Sequence, residues 1–222
     1  KTYRYLTAKQ ESIVKKKSAN LLYSSRVSPS SPPHEYSIKD KIPYLFSDCF
    51  LVTTSVLLKS IETYYIKKSK LIFDTFDETF LVKKCNYVQY KDLKAKYIIF
   101  CTGHNISNIS YLKQLKFKCV KGDIFSLKKP NHAIDYIVQH DKWCVPISDH
   151  TFKLGSTYSH KDLNRPTKES WDTLYTCIND FGFSKEDILF IESGIRTYTE
   201  NYLPKMGFLE GNNKIGIFSG FG

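Results

Sequence analysis

Short apolar runs separated by polar turns dominate the pattern of this chain, and only a few stretches show helical spacing. Apolar residues at positions 56, 57, 61, 64 and 65 follow Thr54, which predicts a capped helix through about Ile66, with a strand beginning at Phe50-Leu-Val52 just before it. A shorter helix with a basic end is expected from Ala8, and an ordered segment around Tyr44-Leu-Phe46. Lys70-Leu-Ile-Phe-Asp74, Thr79-Phe-Leu-Val82 and Tyr87-Val-Gln-Tyr90 read as three short strands with polar turns, a β-meander. Lys96-Tyr-Ile-Ile-Phe-Cys-Thr-Gly-His104 is a continuous apolar run ending in Thr-Gly, the pattern of a buried parallel strand whose carboxyl end meets a ligand.

Beyond Leu115 the period becomes two. Phe117, Cys119 and Ile124-Phe-Ser-Leu127, then Ala133 to Val138, Trp143 to Ile147 and Phe152 to Thr157, predict a mostly antiparallel sheet. Thr167 is the expected N-cap of a helix reaching about Asp180 and ending near Gly182. Residues 188–192 read as a strand, and Gly207 to Gly216 as a turn-rich connection into a final strand. Arg26-Val-Ser-Pro-Ser-Ser-Pro-Pro33 is a loop by its proline content. No internal repeat is present.

Composition narrows the function classes. With 222 residues and 41% hydrophobic content, the chain is long enough for one or two folded domains. Its 33 basic and 22 acidic side chains leave a charge of +11, but the lysines are scattered, and no nucleic-acid-binding module accompanies them. The six cysteines show neither Cys-x-x-Cys nor a nearby His pair, so no metal site is read from them; a cytoplasmic setting follows, with thiols such as Cys101 expected as small buried hydrophobes. Apolar runs of about five residues fall far short of the roughly 20 that a membrane-spanning helix requires, so no membrane partner is expected.

The chemistry concentrates at the end of the chain. Arg196 follows a glycine, and the apolar run Ile215-Gly-Ile-Phe218 leads into Ser219-Gly-Phe-Gly222. Glycines at a strand end let backbone N–H groups approach a flat or anionic ligand, because no Cβ stands in the way. A guanidinium beside such an edge suits a carboxylate, which it grips through two parallel hydrogen bonds. His104 reads as a loop histidine, and Tyr158, Tyr198 and Tyr202 as partly buried aromatics among 16 tyrosines. Gly122, Gly155 and Thr157 read as sheet and turn positions, and Glu186 with Asp187 as a solvated turn.

Across residues 48–222 the order of motifs resembles the D-amino-acid oxidase / glycine oxidase superfamily of FAD-dependent oxidoreductases, with the nearest likeness to poorly characterised bacterial members. Tyr97-Ile-Ile-Phe-Cys-Thr-Gly103 is similar to the family's apolar strand ending in Ala-Thr-Gly. Val120-Lys-Gly-Asp-Ile-Phe125 resembles the segment opening the substrate-domain sheet, with Lys121 where arginine is usual. Cys144-Val-Pro-Ile147 and Leu154-Gly-Ser-Thr-Tyr158 resemble a pair of substrate-domain strands. Gly194-Ile-Arg196 resembles the Gly-x-Arg-Pro motif with Thr197 in place of proline, and Pro204-Lys-Met-Gly207 the motif that follows it. Ser219-Gly-Phe-Gly222 resembles the closing glycine motif, with Phe221 in place of histidine. The family's opening strand and Gly-x-Gly-x-x-Gly are not found here: all ten glycines lie at or beyond position 103. The expectation is a fragment truncated at both ends.

The resemblance implies an α/β (mixed α+β) fold: a partial Rossmann-like FAD-binding domain with a β-meander, plus a mostly antiparallel substrate domain. Residues 1–49 would form an N-terminal segment with the Ser/Pro loop, 50–109 part of the FAD-binding domain, 110–189 the substrate-binding sheet, and 190–222 a return to the FAD-binding domain. FAD is the implied cofactor, with Thr102, Gly103, Gly220, Phe221 and Gly222 around it, and Arg196 orienting a substrate carboxylate. The implied activity is oxidation of the C–N bond of a small amine or amino acid by hydride transfer to the flavin. Two other readings stand behind it. One is a degenerate member acting as a binding module; the other is a tRNA wobble-uridine modification enzyme, which the +11 charge motivates.

Overall fold

The computed structural model describes residues 1–17, 38, 41–47, 49–129 and 135–221, together with the backbone of residues 27–29. The expectations placed on Arg26, Ser30 to Pro33, Asp48, Ala133, Ile134 and Gly222 lie outside the described residues.

The chain forms two compact units. The first comprises residues 1–65, 122–158 and 164–193; the second comprises 66–121, 159–163 and 194–222. Two long strands, β8 (Phe117–Lys128) and β12 (Ile188–Thr199), contribute residues to both.

Most of the first unit is one mixed sheet, in the order β12-β8-β11-β10-β9-β1-β3-β2. Its remaining members are β1 (Thr2–Leu6), β2 (Val27–Pro29), β3 (Ile42–Phe46), β9 (Ile137–Gln139), β10 (Trp143–Ser148) and β11 (Thr151–Gly155). The pairs β1–β3, β2–β3, β9–β10, β10–β11 and β8–β11 are antiparallel, and β1 runs parallel to β9. β2 falls inside the stretch expected to be a loop. Pro29 is tolerated there because β2 is an edge strand, where a missing donor breaks no ladder.

Alternation decides which face of this sheet is buried. Phe125 and Leu127 of β8 and Phe152 and Leu154 of β11 point to one side, where Leu174, Ile178, Phe181 and Phe183 cover them. Leu174 lies on α3 (Lys168–Tyr175), which Thr167 caps by accepting the Ser170 backbone N–H at 3.2 Å. The helix stops at Tyr175, short of the expected Asp180; a 3₁₀ turn over Ile178–Phe181 then carries the chain to Gly182. Gly155 sits where a Cβ would come within 2.5 Å of the Ile124 Cγ2 atom, so β11 can lie against β8 only without a side chain at that point.

His140 belongs to this core. Its ring stacks on Phe181 at 4.3 Å and 15°, and neither ring nitrogen has a hydrogen-bond partner among the described residues. Burial, and then the Lys41 ammonium, push its pKa below the ordinary value, against weaker opposing pulls from Asp180 and Asp141. A group with a depressed folded-state pKa of this kind must charge on acidification, and the unfolded chain takes that proton first. The contribution of His140 is therefore intact above the ordinary histidine value and lost as pH falls through the folded one. Urea unfolding at pH 7 and pH 5 should show the wild type losing more stability than His140→Phe; equal losses would refute this.

The first unit also contains α1 (Ala8–Lys17), as expected, and most of α2 (Thr54–Lys67). No strand precedes α2 at Phe50, which is 87% exposed. The expected apolar stripe of α2 is present in sequence, but Val56, Leu57, Ile61, Tyr64 and Tyr65 are all exposed.

Two small sheets and three 3₁₀ turns build the second unit among the described residues. The meander is β4 (Leu81–Lys83), β5 (Val88–Tyr90) and β6 (Leu93–Ala95), shifted toward the C-terminus from its expected position: Lys70 to Asp74 form no strand. The other sheet runs β13-β14-β7, from β13 (Lys205–Leu209), β14 (Asn212–Ser219) and β7 (Ile98–Phe100). The stretch from Gly207 expected as a turn-rich connection is thus mostly strand, because Lys205–Leu209 folds back on β14 as a hairpin. Phe100, Ile215, Ile217 and Leu209 face a core with Leu81, Val88, Ile106 and Leu112. The opposite face leaves Tyr97, Ile99, Met206, Phe208 and Phe218 exposed, so β7 is buried on one side only.

Glu78 fastens the 3₁₀ turn Ser110–Leu115. Its carboxylate accepts the Ser110 N–H at 2.8 Å, the Ser110 hydroxyl at 2.7 Å and the Tyr111 N–H at 3.3 Å. Burial alone would raise the Glu78 pKa; these hydrogen bonds outweigh it and hold the carboxyl below its usual value.

The architecture is mixed α/β: a mostly antiparallel sheet backed by a helix, and a meander beside a small sheet containing a parallel pair. Cys101 is exposed, contrary to expectation, because β7 ends at Phe100 and the chain leaves the sheet. Cys144 is the buried thiol, and burial pushes its pKa up to about 12. No described helix is long and apolar enough to cross a membrane.

Candidate functional site

Four of the candidate residues, Thr102, Gly103, Gly220 and Phe221, follow the ends of two parallel strands, and Arg196 lies on another strand. β7 and β14 pair in the register Ile98 with Ile215, Ile99 with Gly216 and Phe100 with Ile217. Their carboxyl ends therefore lie side by side, and each gives way to glycine: Cys101-Thr102-Gly103 after β7, Gly220-Phe221 after β14. In open α/β sheets, ligands bind in the crevice beyond such carboxyl ends.

Gly103 opens the 3₁₀ turn Gly103–Asn108 at φ +55, a conformation that a side chain resists, and a Cβ there would meet nothing within 4 Å. Conformation is what requires glycine, and the space above it is open. Thr102 precedes it with a buried Oγ1 that has no hydrogen-bond partner among the described residues. A buried hydroxyl left unpaired costs about 1–3 kcal/mol, so a polar ligand atom arriving here would be matched by a donor already in place.

Gly220 is held differently. It adopts φ +85, and a Cβ would press on Thr199 Cγ2 at 3.2 Å, Phe117 Cε1 at 3.3 Å and the Pro204 Cα at 3.6 Å. Both conformation and crowding exclude a side chain. Phe221, after it, is 56% exposed and rests against Phe218 at 4.6 Å. Gly222 lies outside the described residues.

Arg196 is exposed on β12. Three residues further on, the buried Thr199 is the side chain that packs against Gly220, so the end of β12 leads to the glycine turn. Thr199 also donates to the Leu203 carbonyl at 2.6 Å, fixing the turn between β12 and β13. Thr197, where the resembling motif has proline, is buried and lies 4.0 Å from the Cys119 sulfur. Tyr198 stacks on Tyr202 at 5.1 Å and 1°, with Tyr198 buried and Tyr202 exposed at φ +59. His104 is exposed, and its carbonyl accepts from Ser107 and Cys119.

Sequence reasoning missed two polar features. Asp123 is fully buried in β8; its N–H donates to the Thr157 hydroxyl at 2.9 Å and its carboxylate accepts from Ser193 at 2.5 Å. The alternation of β8 places residue 123 on the same side as Phe125, and an acid at a core position is the signal that could have revealed it. In the first unit, Glu192 accepts from Ser126 at 2.7 Å and from Lys153. Burial pushes the Glu192 pKa up, and the Lys153 and Ser126 hydrogen bonds more than reverse it. Among the described residues no cluster of His, Cys, Asp and Glu could hold a metal ion.

No family model matches the chain. Solved structures do. Glycine oxidase from Geobacillus kaustophilus superposes with a TM-score of 0.81 at 13% identity, over 99% of this chain and 64% of that one. Iminodiacetate oxidase from Chelativorans sp. BNC1 gives 0.80 at 14% identity, over 100% of this chain and 66% of that one. The L-alpha-glycerophosphate oxidase from Mycoplasma pneumoniae, reduced with dithionite and with FAD bound, gives 0.73 at 13% identity, over 98% and 66%. The chain thus spans slightly under two thirds of the length of these structures. Identities this low establish fold and not activity: the chain has the glycine-oxidase-like fold.

Proposed function

We propose that the chain is the larger part of an FAD-dependent oxidoreductase that oxidises the C–N bond of a small amine or amino acid. The observation that carries the reading is the paired ending of β7 and β14. It combines two glycines at positive φ with the buried, unpartnered Thr102 hydroxyl at one end of a parallel pair. The glycine-oxidase-like fold supports it, as does the FAD in one of the matched structures.

In this reading Thr102 and Gly103 meet the cofactor through a hydroxyl and backbone N–H groups. Gly220 and Phe221 would offer it backbone groups at the end of β14, where no Cβ stands at Gly220. When bound, FAD supplies a two-electron acceptor for a hydride from the carbon beside the amine nitrogen. The protein's part is to hold that carbon in place: Arg196 binds a carboxylate by its two-pronged geometry and sets which face of the substrate is presented. The second unit, with the meander and β7, β13 and β14, is assigned to the cofactor, and the antiparallel sheet of the first unit to the substrate. The test is flavin content. Full-length protein purified without added cofactor should retain FAD, and protein that neither retains FAD nor is stabilised by it would defeat the proposal.

A further inference from the structure

A groove in the second unit is lined by none of Arg196, Thr102, Gly103, Gly220 and Phe221. It follows β13, an edge strand of its sheet. One cavity of about 610 Å³ runs beside Lys205–Glu210, with Gln114, Leu115 and Ile217 opposite. A second of about 320 Å³ adjoins it, sharing Gln114, Leu115 and Lys205 and adding Lys116, Thr199 and Asn201. Leu115, Leu209 and Ile217 belong to the apolar core of the unit and give the groove an apolar floor.

The lining carries two lysines and two acids. Neither Lys116 nor Lys205 forms an ion pair among the described residues, whereas Glu200 is drawn off by Lys118 at 3.8 Å. Glu210, at the far end of the larger cavity, is the remaining acid. Lys116 carries the second argument. It closes the 3₁₀ turn Ser110–Leu115 at φ 44, ψ 62, a left-handed conformation that glycine adopts without penalty and lysine does not. A strained backbone that presents a cation to a cavity is a pattern of binding sites.

We infer that this groove binds a small organic anion, with its carboxylate or phosphate between Lys116 and Lys205 and a short apolar body against Leu115, Leu209 and Ile217. The inference does not rest on the flavin reading, because neither Arg196 nor the ends of β7 and β14 line the groove.

Titration calorimetry on the full-length protein with hexanoate, hexanol and inorganic phosphate tests it. Hexanoate should bind saturably and more tightly than either of the others, since only it supplies both halves. Lys205→Gln should weaken hexanoate about tenfold, the loss of one charge-assisted hydrogen bond. Lys116→Gly should weaken it as much while leaving the melting temperature unchanged or higher, because glycine relieves the left-handed strain. Arg196→Ala should leave it unaltered, which separates this groove from the proposed substrate site. No saturable binding at millimolar hexanoate, equal binding of hexanol, or loss of binding in Arg196→Ala with retention in both lysine variants would each overturn the inference.

Discussion

Replacing Arg196 with alanine is expected to lower kcat/KM for a carboxylate-bearing amine by about 150-fold. Losing the hydrogen bonds of a guanidinium to a charged group costs about 3 kcal/mol, and each 1.36 kcal/mol is tenfold in rate. The side chain is exposed on β12, so the folded state should lose little by its removal. Two controls separate orientation from simple charge. Arg196→Lys should recover only part of the activity, because an ammonium is a point charge and cannot grip both carboxylate oxygens in a fixed plane. An amine substrate without a carboxylate should be nearly indifferent to either change. Steady-state kinetics across such a substrate pair checks this; a loss of the same size for both substrates would remove Arg196 from the carboxylate role.

The second large effect is on stability. Phe125→Ala should destabilise the protein by about 3–5 kcal/mol, the usual range for deleting a fully buried phenylalanine. Phe125 is 0% exposed, meets Trp171 edge-on at 4.8 Å, and lies in the same cluster as Phe152, Leu174 and Phe181. The cavity would open where β8, β11 and α3 share one core, so no single element can shift to fill it. Phe221→Ala, at an exposed ring, should change stability by less than about 0.5 kcal/mol. Urea midpoints for the two variants would decide this, and a Phe125→Ala protein within about 1 kcal/mol of wild type would show that the core is not organised as described.

Elements with strict alternation or a clear cap were legible in sequence. β11 alternates over Thr151 to Leu154, β8 starts its alternation at Phe117 and Cys119, and the Thr167 cap is set by a hydroxyl reaching Ser170. What escaped were strands that exist because of a distant partner. β1 is a basic, tyrosine-rich pentapeptide that pairs with β3 and β9, both more than 30 residues away in sequence. β2 contains a proline and survives as an edge. Conversely, Phe50 to Val52 and Leu71 to Phe73 are apolar enough to read as strands, yet they are exposed and unpaired with any described strand, since composition cannot supply a neighbour.

The glycine positions of the candidate site were visible as residue types, and the reason for them was not. Gly103 is needed for its backbone angle alone, whereas Gly220 is needed for angle and space together. That distinction depends on Thr199 and Phe117 arriving from elsewhere in the chain. Lys116 shows the reverse: nothing in the sequence marks it, and only its φ and its place on the groove bring it forward.

The central claim is that the paired ends of β7 and β14 belong to a flavin site. Its most direct test is the visible spectrum of the full-length protein, purified and then mixed with small amines and amino acids in the absence of oxygen. A flavin absorbance near one FAD per chain, bleached by at least one such compound, is the predicted result. A colourless protein that takes up no added FAD would contradict the account.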